Sequence, residues 1–164
     1  MQRELMIQAK IFGSFFLIFA ALLWAFMRYL SEKKRLNLLR FYYALALEIK
    51  RQIEMLNLPI ERIIESADMS GIKNVMKECP EKIDIPFLVE TAKRELYSED
   101  SEKVCDFFLD IGRYFRDEET RRSAYYSSVI SEALSKREAE YGAKCRMYFT
   151  VSLCMALGFI ILII

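Results

Sequence analysis

The chain has 164 residues, of which 54% are hydrophobic, and its formal net charge at pH 7 is only +1. It contains no histidine, which removes the commonest general base and the commonest zinc ligand, and its four cysteines show no C-x-x-C spacing. The near-neutral charge gives no electrostatic footprint for nucleic acid, and the five scattered glycines cannot form a phosphate-binding loop.

The first element is an uncharged apolar run at residues 11–27. About 18 such residues reach across the hydrocarbon of a bilayer, so we predict a transmembrane helix over residues 11–30, after a short extracytoplasmic N-terminus at residues 1–10. A secretory signal peptide cleaved near residues 21–25 is the alternative, and the basic residues that follow the run argue against it.

A long amphipathic helix is predicted next, over residues 36–56. Six apolar residues fall within about 80° of one another on a helical projection: Leu38, Tyr42, Leu45, Ile49, Ile53 and Leu56. The other face mixes charged and apolar residues, and it contains Leu36 as well as the candidate partner contacts Tyr43, Leu47, Lys50, Arg51 and Glu54. That face meets a partner helix or the membrane surface, or it is buried within its own domain.

Shorter helices follow, separated by turn residues. Pro59 and Pro86 each stand at a first-turn position, where a missing N–H costs nothing. Between Gly71 and Pro80 the pattern predicts a weak helix or a loop. We predict a turn at residues 98–101 and a helix over residues 104–115, with Ser101 as its cap.

The last predicted helix runs from about Glu119 to Arg146 and continues without interruption into a second uncharged run, residues 147–164. This run holds ten Leu, Ile, Val or Phe residues, worth roughly −3 to −6 kcal/mol in a membrane, which disfavours a soluble core helix. The acidic residues from Asp117 to Glu119 suit a helix N-terminus. A row of serines at every fourth position from Ser123 forms a close-packing surface or a solvated one.

Basic residues at the ends of both apolar runs set the predicted orientation. The membrane-flank residues are Arg28, Lys33, Lys34, Arg35, Lys144 and Arg146. All of them lie within residues 31–146 or, in the case of Arg28, just before that segment, so the positive-inside rule places the segment in the cytoplasm. The predicted fold is therefore all-α, with two transmembrane helices, at residues 11–30 and 147–164, flanking a cytoplasmic bundle of about five helices at residues 31–146.

Cytoplasmic placement favours reduced, packed thiols for the four cysteines, which are Cys79, Cys105, Cys145 and Cys154. Paired carboxylates such as Asp106 with Asp110 and Glu61 with Glu65 occur on helix faces, where solvated surface is the ordinary state. We expect no catalytic residues, no metal and no cofactor.

Several short motifs in fixed order resemble a known family. They are Leu47-Glu48-Ile49, then Leu58-Pro59-Ile60 before Ile63, Ile64 and Ala67, then Phe108-Leu109-Asp110-Ile111-Gly112, and finally Leu157-Gly158-Phe159 in the terminal run. Their order, spacing and flanking apolar runs resemble stage III sporulation protein AB across essentially the whole chain. That family is in turn similar to the inner-membrane platform (F) proteins of type II secretion and type IV pilus machines.

The resemblance implies a role in endospore formation, in the mother-cell membrane around the forespore. It implies a channel complex with other stage III sporulation proteins and a cytoplasmic domain that engages a secretion-type ATPase, stage III sporulation protein AA. Asp117 fills the acidic position of a loop in this pattern, although the turn before it is shortened. The expected partners are the lipid bilayer, these proteins and a second copy of the chain, without nucleic acid.

Three functions are weighed against one another. A non-catalytic membrane adaptor agrees best with the absence of catalytic motifs. A membrane-anchored enzyme would have to bind Mg²⁺ or Ca²⁺ through carboxylates alone, and no D-x-D or EF-hand spacing is present. A pore-associated or structural membrane protein unrelated to sporulation is the remaining alternative, although neither apolar run contains the charge that a conducting pathway often needs.

Overall fold

The computed structural model describes residues 2–56, 60–76, 80 and 83–163. Within these ranges all regular structure is helical, which confirms the all-α class with a long apolar helix at each end. The helices are α1 (Gln2–Leu56), α2 (Ile60–Ser66), α3 (Ser70–Val75), α4 (Ile85–Glu95), α5 (Ser98–Asp110) and α6 (Arg116–Ile163). The expectations for Pro59 and Cys79 lie outside the described residues.

The chain divides into two compact units. The hairpin unit consists of Met1–Lys33 and Ala139–Ile164, and the bundle unit consists of Lys34–Glu138. The first predicted apolar helix and the long amphipathic helix form one continuous helix, α1, because the basic residues between them are good helix formers. The predicted continuity of the last helix is confirmed by α6.

Tyr42 of α1 lies at the centre of the bundle unit and is fully buried. Its hydroxyl donates a hydrogen bond of 2.7 Å to the carbonyl of Leu88 in α4, and its ring packs edge-on against Phe108 of α5. Burial raises the pKa of Tyr42 far above its ordinary value, so the phenol remains a neutral donor. The predicted apolar stripe of α1 therefore faces the core.

The second face of α1, whose role the sequence does not settle, is buried in one part and exposed in another. Leu36 is buried, whereas Leu47, which lies on the same face about three turns later, is 40% exposed. This face of α1 is therefore covered near residue 36 and open further along. The serine row of α6 divides in the same way, because Ser123 and Ser127 are buried while Ser135 is exposed.

The N-terminus of α4 lies where the local sequence predicts it, whereas that of α5 does not. The side chain of Asp84 caps α4 by accepting a hydrogen bond of 3.0 Å from the Phe87 amide, and Pro86 stands in the first turn as predicted. The predicted cap at Ser101 is wrong, since α5 begins at Ser98 and buries Ser101 inside the helix. Acidic side chains in the first turn stabilise this earlier start.

Two glycines of the bundle unit determine where α5 ends and how closely α3 approaches α1. Gly112, with φ of +85°, follows the end of α5 and ends it before the predicted residue 115. Gly71 allows α3 to approach α1 closely, because a Cβ atom there would lie 2.7 Å from Cδ2 of the buried Phe41. Residues between Gly71 and Pro80 thus include a packed helix, α3, rather than only a loop.

Small residues hold the two helices of the hairpin unit together. Ala25 and Ala156 are buried, and the hydroxyl of the buried Ser152 donates a hydrogen bond to the carbonyl of Ala21. Ala21 and Ala25 are four residues apart on α1, as are Ser152 and Ala156 on α6. Such spacing of small residues lets helix backbones approach within a membrane.

Candidate functional site

The hairpin unit presents a large apolar surface. Helices α1 and α6 each contain a window long and apolar enough to cross a membrane, and only 6% and 11% of these windows are buried. A core helix of a soluble protein would be mostly buried, and soluble monomers rarely expose so much contiguous apolar surface. The hairpin unit is therefore the part of the chain that associates with a membrane.

The predicted contact residues on α1 form one stripe along the helix, which we call the α1 face: Tyr43, Leu47, Lys50, Arg51 and Glu54. Tyr43 and Lys50 are half-buried, whereas Leu47, Arg51 and Glu54 are exposed. Arg51 is held by Glu48, with an Nη2 to Oε1 distance of 2.7 Å. The stripe spans about 16 Å, enough for one helix or loop of a partner to lie against it.

A second predicted contact, Asp117, is exposed in the first turn of α6 beside a tightly held loop, residues 111–115. The buried carboxylate of Glu119 closes this loop by accepting hydrogen bonds from two backbone amides, Gly112 at 2.5 Å and Tyr114 at 3.2 Å. Phe115, at the end of the loop, is 93% exposed. The loop therefore presents an aromatic side chain and an acidic one on a fixed backbone.

An ion pair beside the same loop also contacts it. Asp110 pairs with Arg122, whose guanidinium carbon lies 3.8 Å from the ring centroid of Tyr114. Partial burial raises the pKa of Asp110, but hydrogen bonds from Arg122, Tyr126 and Tyr114 outweigh that effect and hold it below its usual value. The carboxylate thus stays ionised and ties α5 to α6.

We expect Glu119→Ala to destabilise the bundle unit by about 1–3 kcal/mol, because two backbone donors lose a charged acceptor. Chemical unfolding of the full-length protein in detergent, followed by circular dichroism, measures the change. Glu118→Ala is the matched control, since the exposed Glu118 pairs only with Arg122 among the contacts described and should cost less than about 1 kcal/mol. Equal losses from the two variants would contradict the role given to Glu119.

The corner between α4 and α5 collects acidic residues, and we call it the acidic corner: Glu95, Tyr97, Glu99 and Asp100. Arg137 of α6 reaches Asp100 with Nε at 2.7 Å and Nη2 at 3.3 Å, and the carboxylate of Asp100 is only 3% exposed. The ring centroid of Tyr97 lies 4.4 Å from the guanidinium carbon of Arg35 and 4.6 Å from that of Arg137. One short corner thus joins α1 and α6 within the bundle unit.

The acidic corner makes the bundle unit sensitive to acid. A hydrogen bond from Lys34, at 2.7 Å, lowers the pKa of Glu95 below its usual value. Its stabilising contribution is therefore complete above the unfolded pKa of about 4.3 and is lost as pH falls through the folded value. We expect Lys34→Met to reduce the loss of stability between neutral pH and about pH 3 by about 0.2–1 kcal/mol, because the pair is partly solvated. An unchanged pH profile in circular-dichroism melts would contradict this.

The six predicted membrane-flank residues have different surroundings. Lys34 and Arg35 contact the acidic corner of the bundle unit, as described above, and Lys144 pairs with Glu140 at 2.9 Å. Arg28, Lys33 and Arg146 are exposed. The structure therefore leaves these three cations of the hairpin unit available to a ligand.

A groove of about 520 Å³ lies between α1 and the turn after α2, lined in part by Arg40, Glu48 and Asp68. Both carboxylates already accept hydrogen bonds, Glu48 from Arg51 and Asp68 from the amide and hydroxyl of Ser70. In the described part of the chain, no three His, Cys, Asp or Glu side chains come together as a metal site would require. Cys105, Cys145 and Cys154 are free thiols. Cys154 is exposed, which differs from the prediction that the thiols are packed.

Sequence reasoning missed Glu119, Asp100 and Arg137. The sequence marks Glu119 only as one of three acids at a helix start, although Gly112 before it signals a turn whose backbone amides need an acceptor. Asp100 and Arg137 are 37 residues apart on different helices. No local pattern could have paired them.

Comparison with known proteins identifies a family. The family model of stage III sporulation protein AB matches residues 10–164. No curated protein and no solved structure matches the chain.

Proposed function

The chain belongs to the stage III sporulation protein AB family, and we propose that it is a non-catalytic membrane platform in endospore formation. In this proposal it couples a cytoplasmic ATPase, stage III sporulation protein AA, to a secretion-like channel complex. The family makes the protein sporulation-related, which removes the alternative of a membrane protein unrelated to sporulation. The platform role is similar to that of the F proteins of type II secretion.

The observation that supports the proposal best is that each of the two long helices extends through both units. Helix α1 and helix α6 each contain an exposed apolar segment and a segment of the bundle unit. Both connections between the units are therefore helical, without a linker rich in glycine, serine or proline. A partner bound to the bundle would be attached to the membrane through two such helices.

We propose a two-span topology in which both apolar segments cross the membrane and the bundle unit is cytoplasmic, in the mother cell. The distribution of Lys and Arg around the apolar segments supports this orientation. A protease-sensitive tag inserted at the exposed Pro80 should resist protease added to intact cells and be cut after lysis. Cutting in intact cells, or recovery of the protein in the soluble fraction without detergent, would contradict the topology.

The contact with the ATPase is assigned to the α1 face and to the loop that ends at Phe115 and Asp117. Leu47 supports the first assignment, because it is an exposed apolar residue on an otherwise charged part of α1. Phe115 supports the second, because it is an exposed aromatic residue on a hydrogen-bonded loop, and aromatic residues are frequent anchors of protein interfaces.

We expect Leu47→Asp to weaken binding of the full-length protein to the ATPase about tenfold or more in a pull-down from detergent, since it places a charge in the contact. Lys50→Glu should weaken binding less and in a salt-dependent manner. Leu109→Asp is the matched control, because Leu109 is also about half exposed, at 48%, but lies on α5. Absence of binding, or equal binding by all three variants, would contradict the assignment.

A further inference from the structure

We propose that the groove between α1 and the turn after α2 receives a lysine or arginine side chain of the partner ATPase, whose positive charge pairs with Asp68. This inference rests on the proposed function, since it takes the ATPase as the partner. It deepens that function by assigning a pocket beside the α1 face and by naming the chemistry of the group that enters it.

Asp68 has the one charge of the groove that the described part of the chain leaves uncompensated. The lining contains three charged residues, Arg40, Glu48 and Asp68. Arg40 and Glu48 each form an ion pair with a residue that does not line the groove, at 2.8 and 2.7 Å. Asp68 is exposed, and among the described residues it is contacted only by the uncharged Ser70. The groove therefore has room for one cation.

Ser70 fixes the carboxylate of Asp68 without cancelling its charge. The backbone amide of Ser70 donates a hydrogen bond of 2.9 Å to Oδ1, and its hydroxyl donates one of 3.0 Å to Oδ2. These bonds lower the pKa of Asp68 below its usual value, so the carboxylate is ionised at neutral pH. Each carboxylate oxygen has about two acceptor positions, so both oxygens can still accept from a cationic donor.

The rest of the lining fits the aliphatic part of a basic side chain. The groove is lined by two buried apolar residues and by three small ones: Phe41, Leu45, Ala44, Ala67 and Gly71. Lysine and arginine bury their methylene stems along apolar surface and keep the charged head in polar surroundings. An apolar lining that also contains an unpaired carboxylate offers both environments.

The size of the groove favours a side chain or two over a whole helix. Its volume is about 520 Å³. A helix with its side chains is about 10–12 Å across and rises 5.4 Å per turn, so one turn occupies roughly 400–600 Å³. The groove holds about one such turn, and the partner therefore contributes a short protruding segment.

The groove is continuous with the α1 face, and this makes the ATPase its occupant. Glu48 lines the groove and accepts hydrogen bonds from Arg51 of the α1 face, at 3.0 Å from Nε and 2.7 Å from Nη2. The exposed Ala44 of the lining precedes Leu47 by three residues, a rise of about 4.5 Å. A partner that covers Leu47 thus lies directly beside the groove.

Substitutions at Asp68 test the charge of the entering group, with the full-length protein in detergent and the purified ATPase as the probe. Asp68→Asn removes the charge but keeps an acceptor for Ser70, and we expect it to weaken binding about fivefold. Asp68→Lys should weaken binding about tenfold further, because it sets two like charges against each other. Asp106→Asn is the matched control, since it neutralises an exposed aspartate of α5 and should change binding less than about twofold.

A substitution that fills the groove tests the pocket itself. Ala44→Trp replaces an exposed small residue of the lining and should weaken binding about tenfold or more by excluding the side chain of the ATPase. Ser128→Trp, at an exposed position of α6, is its control and should leave binding within about twofold. Circular-dichroism melts of each variant separate loss of binding from loss of the fold.

Two results would overturn the pocket: equal binding by Asp68→Asn and Asp106→Asn, or binding by Asp68→Lys at least as tight as by Asp68→Asn. The second result would make the entering group neutral or acidic. If the groove variants bind normally while Leu47→Asp does not, this inference fails and the proposed function stands. Absence of binding by the unaltered protein contradicts both.

Discussion

Replacing Arg137 with alanine should destabilise the bundle unit by about 3–5 kcal/mol, because it leaves a buried carboxylate without its partner. Asp100 is 3% exposed, and Arg137 supplies both of its guanidinium contacts, at 2.7 and 3.3 Å. The same substitution removes one of the two guanidinium groups that contact the ring of Tyr97. Water cannot easily replace these contacts at a side chain so deeply buried.

Cys105 provides the measurement. It is buried in α5, its thiol lies 3.8 Å from the carbonyl of Val89, and burial raises its pKa, so it should be labelled by maleimide only when the bundle unit opens. A loss of 3–5 kcal/mol corresponds to labelling that is about a hundredfold to a few thousandfold faster. Peptide mapping by mass spectrometry separates Cys105 from the other three cysteines.

The matched control is Lys136→Ala, which removes the neighbouring cation. Lys136 and Glu99 are both about half exposed and 3.3 Å apart, so solvent screens their pair and it should contribute little to stability. Arg137→Lys should not restore stability, because an ammonium group cannot make the two-pronged contact. The double change Asp100→Leu with Arg137→Met should be less harmful than Arg137→Ala, since no buried charge remains. Similar labelling rates for Arg137→Ala and Lys136→Ala would refute the argument.

Enlarging the small residues of the hairpin unit should separate its two helices. Ala25 is fully buried, and Ala25→Leu adds three carbon atoms where the helix backbones are close, at a cost of about 1–3 kcal/mol. Adding Ala156→Leu should bring the loss to about 2–6 kcal/mol if the two effects are additive. Separation would also break the hydrogen bond from Ser152 to Ala21.

Titration of the detergent-solubilised protein with sodium dodecyl sulfate measures this effect. Trp24 of α1 contacts Tyr148 of α6, so its fluorescence changes when the helices part. Ala20→Leu is the control, because Ala20 lies on the same helix at an exposed position and its replacement should change stability by less than about 0.5 kcal/mol. If Ala20→Leu and Ala25→Leu lower the midpoint equally, close packing of small residues is not what holds the hairpin unit.

Much of the helical architecture could be predicted because its causes are local. The apolar runs, the stripe on α1 and Pro86 at the start of α4 each follow from residue spacing within a few turns. The cap at Ser101 failed because several polar residues in the same segment could begin a helix. Contacts made elsewhere in the fold chose among them, since Asp100 in the first turn of α5 is fixed by Arg137.

The candidate contact surfaces could also be predicted only in part from the sequence. Periodicity placed Tyr43, Leu47 and Leu36 on one side of α1, but only packing buries Leu36 and leaves Leu47 exposed. The loop at Asp117 was predicted from a family pattern, whereas the exposure of Phe115 and the bonds made by Glu119 depend on how α5 ends against α6.

The amino-acid order alone determined that this protein has two long apolar segments, helices between them and a resemblance to one sporulation family, because transfer free energy and helix periodicity are properties of neighbouring residues. Only the tertiary structure decided which basic residues are engaged by the protein and which remain exposed without an ion pair among the described residues. Lys34 and Arg35 look the same in sequence as Arg28 and Lys33, and they differ because an acidic corner some 60 residues away folds against the first pair. The partners of a charge depend on distances in space, which the spacing along the chain does not contain.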